Sequence, residues 1–296
     1  MLFTVVIPVF NSTDYILDTL KSIESASKSS EYEVILIDDC SSDINQLKKI
    51  ISSFANVRLI EKTSKTNAAD SRNIGFLNSK SEYVFFLDSD DHFISGCIDS
   101  RIILHKESEA GIIFGNFITK LGKIEIKSTL PSYNKEDMRD YILIKKGDFR
   151  SSVISIDKKH HNNTLFDGLS QKHQDWIFAF KCWDNKEKIN FDEQYGAVIN
   201  VDRSSRMSSS MNINASRYLC EKYLDNIEHT NNFSKNHWNN MIHFKNYDAC
   251  KFFTSIYKPQ TLSEYITLTF YKLMANKAML PLSSSSIHIL KNRRYK

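Results

Sequence analysis

Asp88, Asp90 and Asp91 stand within four residues, directly after the apolar run Tyr83–Leu87. Like charges this close are unfavourable unless a cation or hydrogen-bond donors compensate them. Hard divalent ions such as Mg²⁺ or Mn²⁺ take carboxylate oxygens and often bridge to substrate phosphates. The plain alternative is an acidic turn capping the next segment. A second acidic pair, Asp38-Asp39, follows Val34–Ile37 and leads into Cys40-Ser41-Ser42-Asp43. These side chains can accept from a nucleobase imide or ribose hydroxyls, and Ser41, Ser42 or Asp43 can equally cap a helix. Arg72-Asn73 precedes Tyr83 in a helical stretch; the guanidinium suits a diphosphate, or an ordinary surface ion pair. The last feature is His173-Gln174-Asp175-Trp176. Asp175 opens an aromatic segment (Trp176, Phe178, Phe180, Trp183), where desolvation would raise its pKa toward that of a useful base. A helix N-terminal acid favoured by the macrodipole is the alternative there.

These groups need elements to hold them. Phe3–Val9, Glu33–Ile37, Val57–Ile60 and Tyr83–Leu87 read as strands. Between them, Ile16, Leu20 and Ile23, then Ile44, Leu47, Ile50, Ile51 and Phe54, recur at helical spacing. Thr66–Leu77 is a further helix, weakened by Gly75. Nearly continuous apolar strands alternating with helices indicate an α/β fold with a mainly parallel sheet covered on both faces. Ligands of such sheets bind beyond the carboxyl ends of the strands, where Asn11, Asp38, Asp39 and Asp88 to Asp91 all fall. Farther on, Gly111–Ile118 and Lys123–Lys127 predict a strand pair about Leu121-Gly122. Ser152–Ile156 and Gly196–Val201 predict strands, with a helix from Gln171 to Trp183 between them. From Asn214 to Ala278 the chain is aromatic-rich and helical, interrupted near Pro259. Residues 1–210 therefore read as one α/β domain and 211–296 as a helical extension.

Composition narrows the function classes. The 296 residues are 41% hydrophobic and 25% charged, with only 8 glycines and 4 prolines, which argues against long disordered stretches. The net charge is +4, and the last six residues, Lys291 to Lys296, carry four positive charges, so the remainder sums to about zero. A basic body that would track nucleic acid is absent. A basic tail beside aromatic helices fits attraction to an anionic membrane surface, or a solvated terminus. Cys40, Cys97, Cys182, Cys220 and Cys250 are odd in number and never in a CxxC pair, which speaks against a disulfide framework or a zinc site. Reduced thiols in a cytoplasmic protein are expected. The opening Met1–Phe10 is too short for a signal peptide and contains Pro8. No apolar run approaches the ~20 residues needed to span a bilayer, so any membrane contact is expected to be peripheral.

In order along residues 3–210, these segments resemble the inverting family-2 glycosyltransferases of GT-A fold. Val5-Val6-Ile7-Pro8-Val9-Phe10-Asn11 resembles the family's opening strand and nucleotide loop, which implies donor contacts from Pro8, Phe10 and Asn11. Val34 to Asp43 is similar to its second strand, where the second aspartate holds the base; that implies Asp39. Ser71-Arg72-Asn73-Ile74-Gly75 resembles the ARNxG helix and implies Arg72 at the donor. Phe86-Leu87-Asp88-Ser89-Asp90-Asp91 resembles the DXD element, with Asp90 the implied metal ligand, Asp88 supporting it and Ser89 beside the donor. Gln174-Asp175-Trp176 resembles the ED motif and makes Asp175 the implied base. The sequence departs from the pattern at Gln174, where Glu is usual, at Thr66 and Ser71, and at Ser95-Gly96, where a proline is expected. Arg203, Arg206 and Ser208 are loosely similar to a basic loop that closes over the donor.

The resemblance implies sugar transfer from a nucleotide-sugar, a UDP-sugar in particular, to an acceptor hydroxyl with inversion and with Mn²⁺ or Mg²⁺. The implied acceptor is a saccharide or lipid-linked saccharide of a bacterial surface polysaccharide, met by the C-terminal helices at the cytoplasmic membrane face. A catalytically inactive scaffold that binds sugar nucleotide remains an alternative. A nucleotidyltransferase would want a Gly-rich basic loop after the first strand, and Val9-Phe10-Asn11-Ser12 is neither. A phosphatase with a DxD nucleophile would carry that motif after an early strand, not the fourth. A dinucleotide oxidoreductase is excluded, since no GxGxxG follows any strand.

Overall fold

The apolar run Phe3–Val9 forms strand β1, buried along nearly its whole length. Helix α1 (Ile16–Ala26) follows, burying Ile16, Leu20 and Ile23 on one face. Then come β2 (Tyr32–Asp38), α2 (Ile44–Ile51), β3 (Val57–Glu61), α3 (Ala68–Asn78) and β4 (Tyr83–Phe86). This is the predicted strand–helix alternation, and β3, β2, β1 and β4 pair in parallel in that order. The computed structural model describes residues 1–201, 212–243 and 246–275.

Gly75 was the weak point of the predicted third helix. A Cβ there would lie 2.2 Å from Val6 Cγ1, so the missing side chain is what lets α3 pack closely on β1. The Asn67 side chain caps α3 by accepting from the Asp70 amide.

Beyond β4 the sheet turns mixed. Strands β5 (His92–Phe93), β6 (Ile112–Leu121), β7 (Ile124–Ser128), β8 (Ser155–Asp157) and β9 (Ile189–Asn200) extend it in the order β4-β8-β6-β9-β5. β8 runs antiparallel to both β4 and β6, β9 parallel to β6, and β5 antiparallel to β9. The predicted pair about Leu121-Gly122 is the β6–β7 hairpin, whose tight turn uses Gly122 at φ 60°. The strand predicted at Ser152–Ile156 is corrected. Ser151–Val153 forms a 3-10 turn and only Ser155–Asp157 is strand, because the Ser151 and Ser152 hydroxyls bond the Asp88–Asp91 segment. Helices α4 (Cys97–Ser108) and α5 (Gln174–Asp184) complete this part.

The chain divides into two compact units, Met1–Ile142 with Lys146–Arg203 and Leu143–Lys145 with Ser204–Lys296. The second contains α6 (Ile213–Tyr223), α7 (Ile227–His243), α8 (Tyr247–Ile256) and α9 (Leu262–Met274). Phe233, Trp238, Met241, Ile242 and Phe253 are its buried centre. Pro259 lies in the break between α8 and α9, as predicted. Among the described residues no helix is long and apolar enough to cross a membrane. All five cysteines are free thiols.

Candidate active site

The loops leaving β1, β2 and β4 are tied to one another by short hydrogen bonds. Asn11, in the left-handed region at φ 48°, accepts at Oδ1 from the Ser42 amide (2.9 Å) and hydroxyl (3.1 Å). Its own amide donates to Ser41 Oγ at 2.9 Å. Ser12 Oγ meets Ser89 Oγ at 2.9 Å, joining the first loop to the β4 loop. Pro8 is half-buried within β1. Phe10 is exposed in the loop, with Lys65 Nζ 3.4 Å from its ring centroid.

The two aspartates after β2 differ in duty. Asp38 is buried and both its oxygens accept from the Ser41 amide, which shapes the turn. Asp39 Oδ1 accepts from the Thr66 amide and pairs with Lys62 Nζ, both at 2.8 Å. Oδ2 bonds no described residue. The Lys62 side chain is only 6% exposed and also lies 3.3 Å from Asp70. Thr66, a departure from the family pattern, serves Asp39 through its backbone amide, while its hydroxyl donates to Asp70 Oδ2 at 2.7 Å.

Arg72 is the hub. Its Nη2 pairs with Asp88 Oδ1 at 2.5 Å and donates to Ser151 Oγ at 2.8 Å, while Nη1 donates to Gln174 Oε1 at 3.2 Å. Gln174 Nε2 in turn donates to the Ser170 carbonyl, so an amide rather than a carboxylate accepts from Arg72 here. Burial pulls the Arg72 pKa down, but Asp88, Asp175 and Asp91 outweigh it and leave the guanidinium firmly charged. Its buried Nε has no hydrogen-bond partner among the described residues. With both terminal nitrogens engaged, Arg72 orients Asp88 and the start of α5. The neighbouring Asn73 exchanges two hydrogen bonds with the Phe166 backbone, each 2.9 Å, and so fixes the approach to α5.

The acidic run splits three ways. Asp88 keeps 39% of its side-chain surface exposed beside Arg72, and its amide donates to Ser152 Oγ. Asp90 is half-buried, and its carbonyl accepts from the Asn200 side chain. Asp91 is buried, accepting from Ser152 Oγ at 2.6 Å and from the Asn200 amide at 2.9 Å. Burial, then Asp88 and Asp90, push the Asp91 carboxyl well above the usual range. Asp91 is a structural group that clasps β9 and the serine turn.

Asp175 lies in the first turn of α5 and is half-buried. Burial raises its pKa and Asp88 adds to that; Arg72, Arg150 and the Ser151 amide pull it back without cancelling the rise. Desolvation therefore outweighs the cations, and the carboxyl is a better proton acceptor than an ordinary aspartate.

Reading by motif left several participants unseen. Lys62, Ser151, Ser152, Asn200, Asp148 and Arg150 all belong to this network. Arg150 Nε pairs with Asp148 Oδ2 at 2.7 Å, and Asp148 Oδ1 accepts from Trp176 Nε1 at 3.1 Å. Asp148 above all, then Asp175 and Asp91, keep Arg150 charged. The adjacent Ser151-Ser152 hydroxyls opening a strand-like run were the one visible signal. Arg203, Arg206, Ser208 and the basic tail lie outside the described residues.

A sheet of this order, with its polar groups gathered at the ends of β1, β2 and β4, defines the class of GT-A folds. The structure superposes on Staphylococcus aureus TarS 1–349, solved with UDP-GlcNAc, with a TM-score of 0.67 at 16% identity, covering 97% of this chain and 92% of that one. Residues 4–162 match the family described as Glycosyl transferase family 2. The chain belongs to that family and is a glycosyltransferase. It is 30% identical over 228 residues to the poly(ribitol-phosphate) beta-N-acetylglucosaminyltransferase TarP of Staphylococcus aureus, covering 73% of this chain and 68% of the relative. It is 27% identical over 200 residues to the amylovoran biosynthesis glycosyltransferase AmsB of Erwinia amylovora, covering 64% and 65%. A poly(ribitol-phosphate) beta-glucosyltransferase of Bacillus spizizenii is 28% identical over 221 residues, of which the chain spans only 34% of the length.

Proposed function

We propose that the chain moves a sugar from a UDP-sugar to an acceptor hydroxyl with inversion, in the synthesis of a bacterial surface polysaccharide. The observation that carries this is Asp175: a half-buried carboxyl of raised pKa, held by α5 next to the Arg72–Asp88 pair. The relatives named for poly(ribitol-phosphate) glycosyl transfer and amylovoran biosynthesis, and the TarS complexes with UDP-GlcNAc and UDP, support the donor and acceptor classes.

Asp175 takes the proton of the acceptor hydroxyl as its oxygen attacks the anomeric carbon. The bond from that carbon to the diphosphate breaks on the opposite face, and the electron pair leaves with UDP. One base and one displacement give inversion. Asp39 Oδ2 accepts from the uracil imide, beside Pro8, Phe10, Asn11 and Ser89 in the donor loops. Arg72 holds Asp88 in place.

Asp90 and Asp88 would hold a Mg²⁺ or Mn²⁺ ion. Among the described residues no group of three His, Cys, Asp or Glu side chains is placed to cage a metal. Two hard oxygen donors nonetheless fit these ions, which commonly take one or two carboxylates and complete their shell from phosphates and water. Such an ion, when bound, neutralises charge developing on the leaving diphosphate. The acceptor is a saccharide or lipid-linked saccharide met at a membrane surface through the C-terminal helices.

The test is nucleoside diphosphate release across a set of sugar nucleotides, with and without a saccharide acceptor, before and after chelation. Release that requires acceptor, is largest for a UDP-sugar and is restored by Mn²⁺ or Mg²⁺ supports the reading. Donor binding without any turnover would mean a scaffold instead.

A further inference from the structure

Helix α9 is apolar on both faces. Its inner side buries Leu268 and sets Tyr271 against Trp238, ring centroids 4.4 Å apart. Its outer side carries Leu262, Tyr265, Ile266, Phe270 and Leu273, all between 55% and 78% exposed. The offsets of 3, 4, 8 and 11 residues from Leu262 place them on one stripe. Ser263, Thr269 and Lys272 are also exposed on this helix, so it has the mixed character of a helix lying at an interface rather than of a wholly buried one. Other exposed large hydrophobic residues among those described are scattered through the chain, which needs no explanation. The one acid of α9, Glu264, pairs with Lys235 at 2.9 Å, so the apolar stripe has no carboxylate left to repel an anion.

Charge selects the partner. Residues 276–296, directly after α9, contain Lys277, Lys291, Arg293, Arg294 and Lys296 and no acidic residue. The chain's whole excess of positive charge lies there. A second copy of this chain would bring a like-charged segment against its own, whereas an anionic lipid surface offers apolar chains to the stripe and negative headgroups to the cations.

We propose that the outer face of α9 inserts into the headgroup boundary of an anionic bilayer, with the adjoining cationic segment adding electrostatic attraction. This sharpens the proposed lipid-linked acceptor by naming the surface that meets the membrane.

The test is co-sedimentation of the full chain with vesicles of mixed phosphatidylglycerol and phosphatidylcholine, against phosphatidylcholine alone. The wild type is expected to bind the anionic vesicles preferentially. Ile266→Glu with Phe270→Glu should lower the partition coefficient at least about tenfold. Replacing Lys291, Arg293, Arg294 and Lys296 by Gln should cost roughly fivefold per charge at low salt. Ile103→Glu, at an equally exposed apolar site on α4, should change nothing. Light scattering, and transfer to a soluble saccharide acceptor, are measured on the same preparations. The inference is overturned if the wild type ignores anionic vesicles, or if the double variant binds as well as the wild type. It is also overturned if that variant instead dissociates an oligomer, in which case a second copy covers the stripe. Loss of transfer by the wild type would sink the transferase chemistry and leave the vesicle result standing.

Discussion

Asp39 and Asp175 are the same side chain in opposite electrostatic company. Asp39 is buried, but Lys62 and the Thr66 amide each approach within 2.8 Å, so its charge is matched on the spot. Asp175 has no ion-pair partner in contact among the described residues; the cations that act on it, Arg72 and Arg150, are committed to Asp88 and Asp148. The first environment suits a permanent hydrogen-bond acceptor for a donor molecule. The second suits a group that must take up a proton and give it back. In the proposed roles, binding and catalysis would differ by where the nearest cation is anchored.

The largest effect is expected at Asp175. Asp175→Asn should lower transfer by roughly 10³-fold, the scale of a lost general base, while UDP affinity by calorimetry stays as in the wild type. The same substitution should raise the melting temperature at neutral pH. Its folded pKa lies above the unfolded value of 3.8, so the cost of ionising it in the fold grows as pH rises from that value to the raised one and is full beyond it. The asparagine escapes that cost, and the stabilisation should vanish at acidic pH. Transfer near the wild-type rate would show that another group takes the proton.

Arg72→Met comes next. It leaves Asp88, Gln174 and Ser151 without their shared donor and should cost on the order of 3 kcal/mol in urea unfolding. An unchanged midpoint would mean that Asp88 is held by other means. Lys62→Met strips Asp39 of its cation and should weaken UDP binding by about tenfold, roughly 1.4 kcal/mol, with little change in turnover at saturating donor. If turnover falls and affinity does not, Asp39 is not a donor contact. The smallest effect is expected of Ser152→Ala, which removes one bond to Asp91 and one to the Asp88 amide, about 1 kcal/mol of stability.

Much of this was legible in the chain itself, and the boundary between legible and hidden has a physical cause. Periodicity revealed β1 to β4 and the helices between them because each depends on local spacing of apolar residues. The acidic run after β4 stood out because three like charges there demand an explanation. Periodicity could not show who answers those charges. Ser151 reaches Asp88 across 63 residues, and Arg72 reaches Gln174 across 102; such pairs exist only after the sheet has formed. The same limit hid Lys62, whose partner sits on the neighbouring parallel strand's loop. Gly75 looked like a flaw in α3 because its reason, the approach of Val6, lies in another element. The second half of the sheet was only partly foreseen: β5, two residues long, leaves no periodic trace, and β8, three residues long, begins later than the apolar run at Ser152–Ile156 suggests.

In the proposed mechanism Asp175 takes the proton of the acceptor hydroxyl onto a carboxylate whose pKa burial has raised. The most direct measurement is the pH dependence of kcat/KM for wild type and Asp175→Asn with the same donor and acceptor. The wild type should lose activity as pH falls through a single ionisation above the ordinary aspartate value, and the residual activity of the variant should lack that limb. An acid limb at the same pH in both proteins would contradict the assignment.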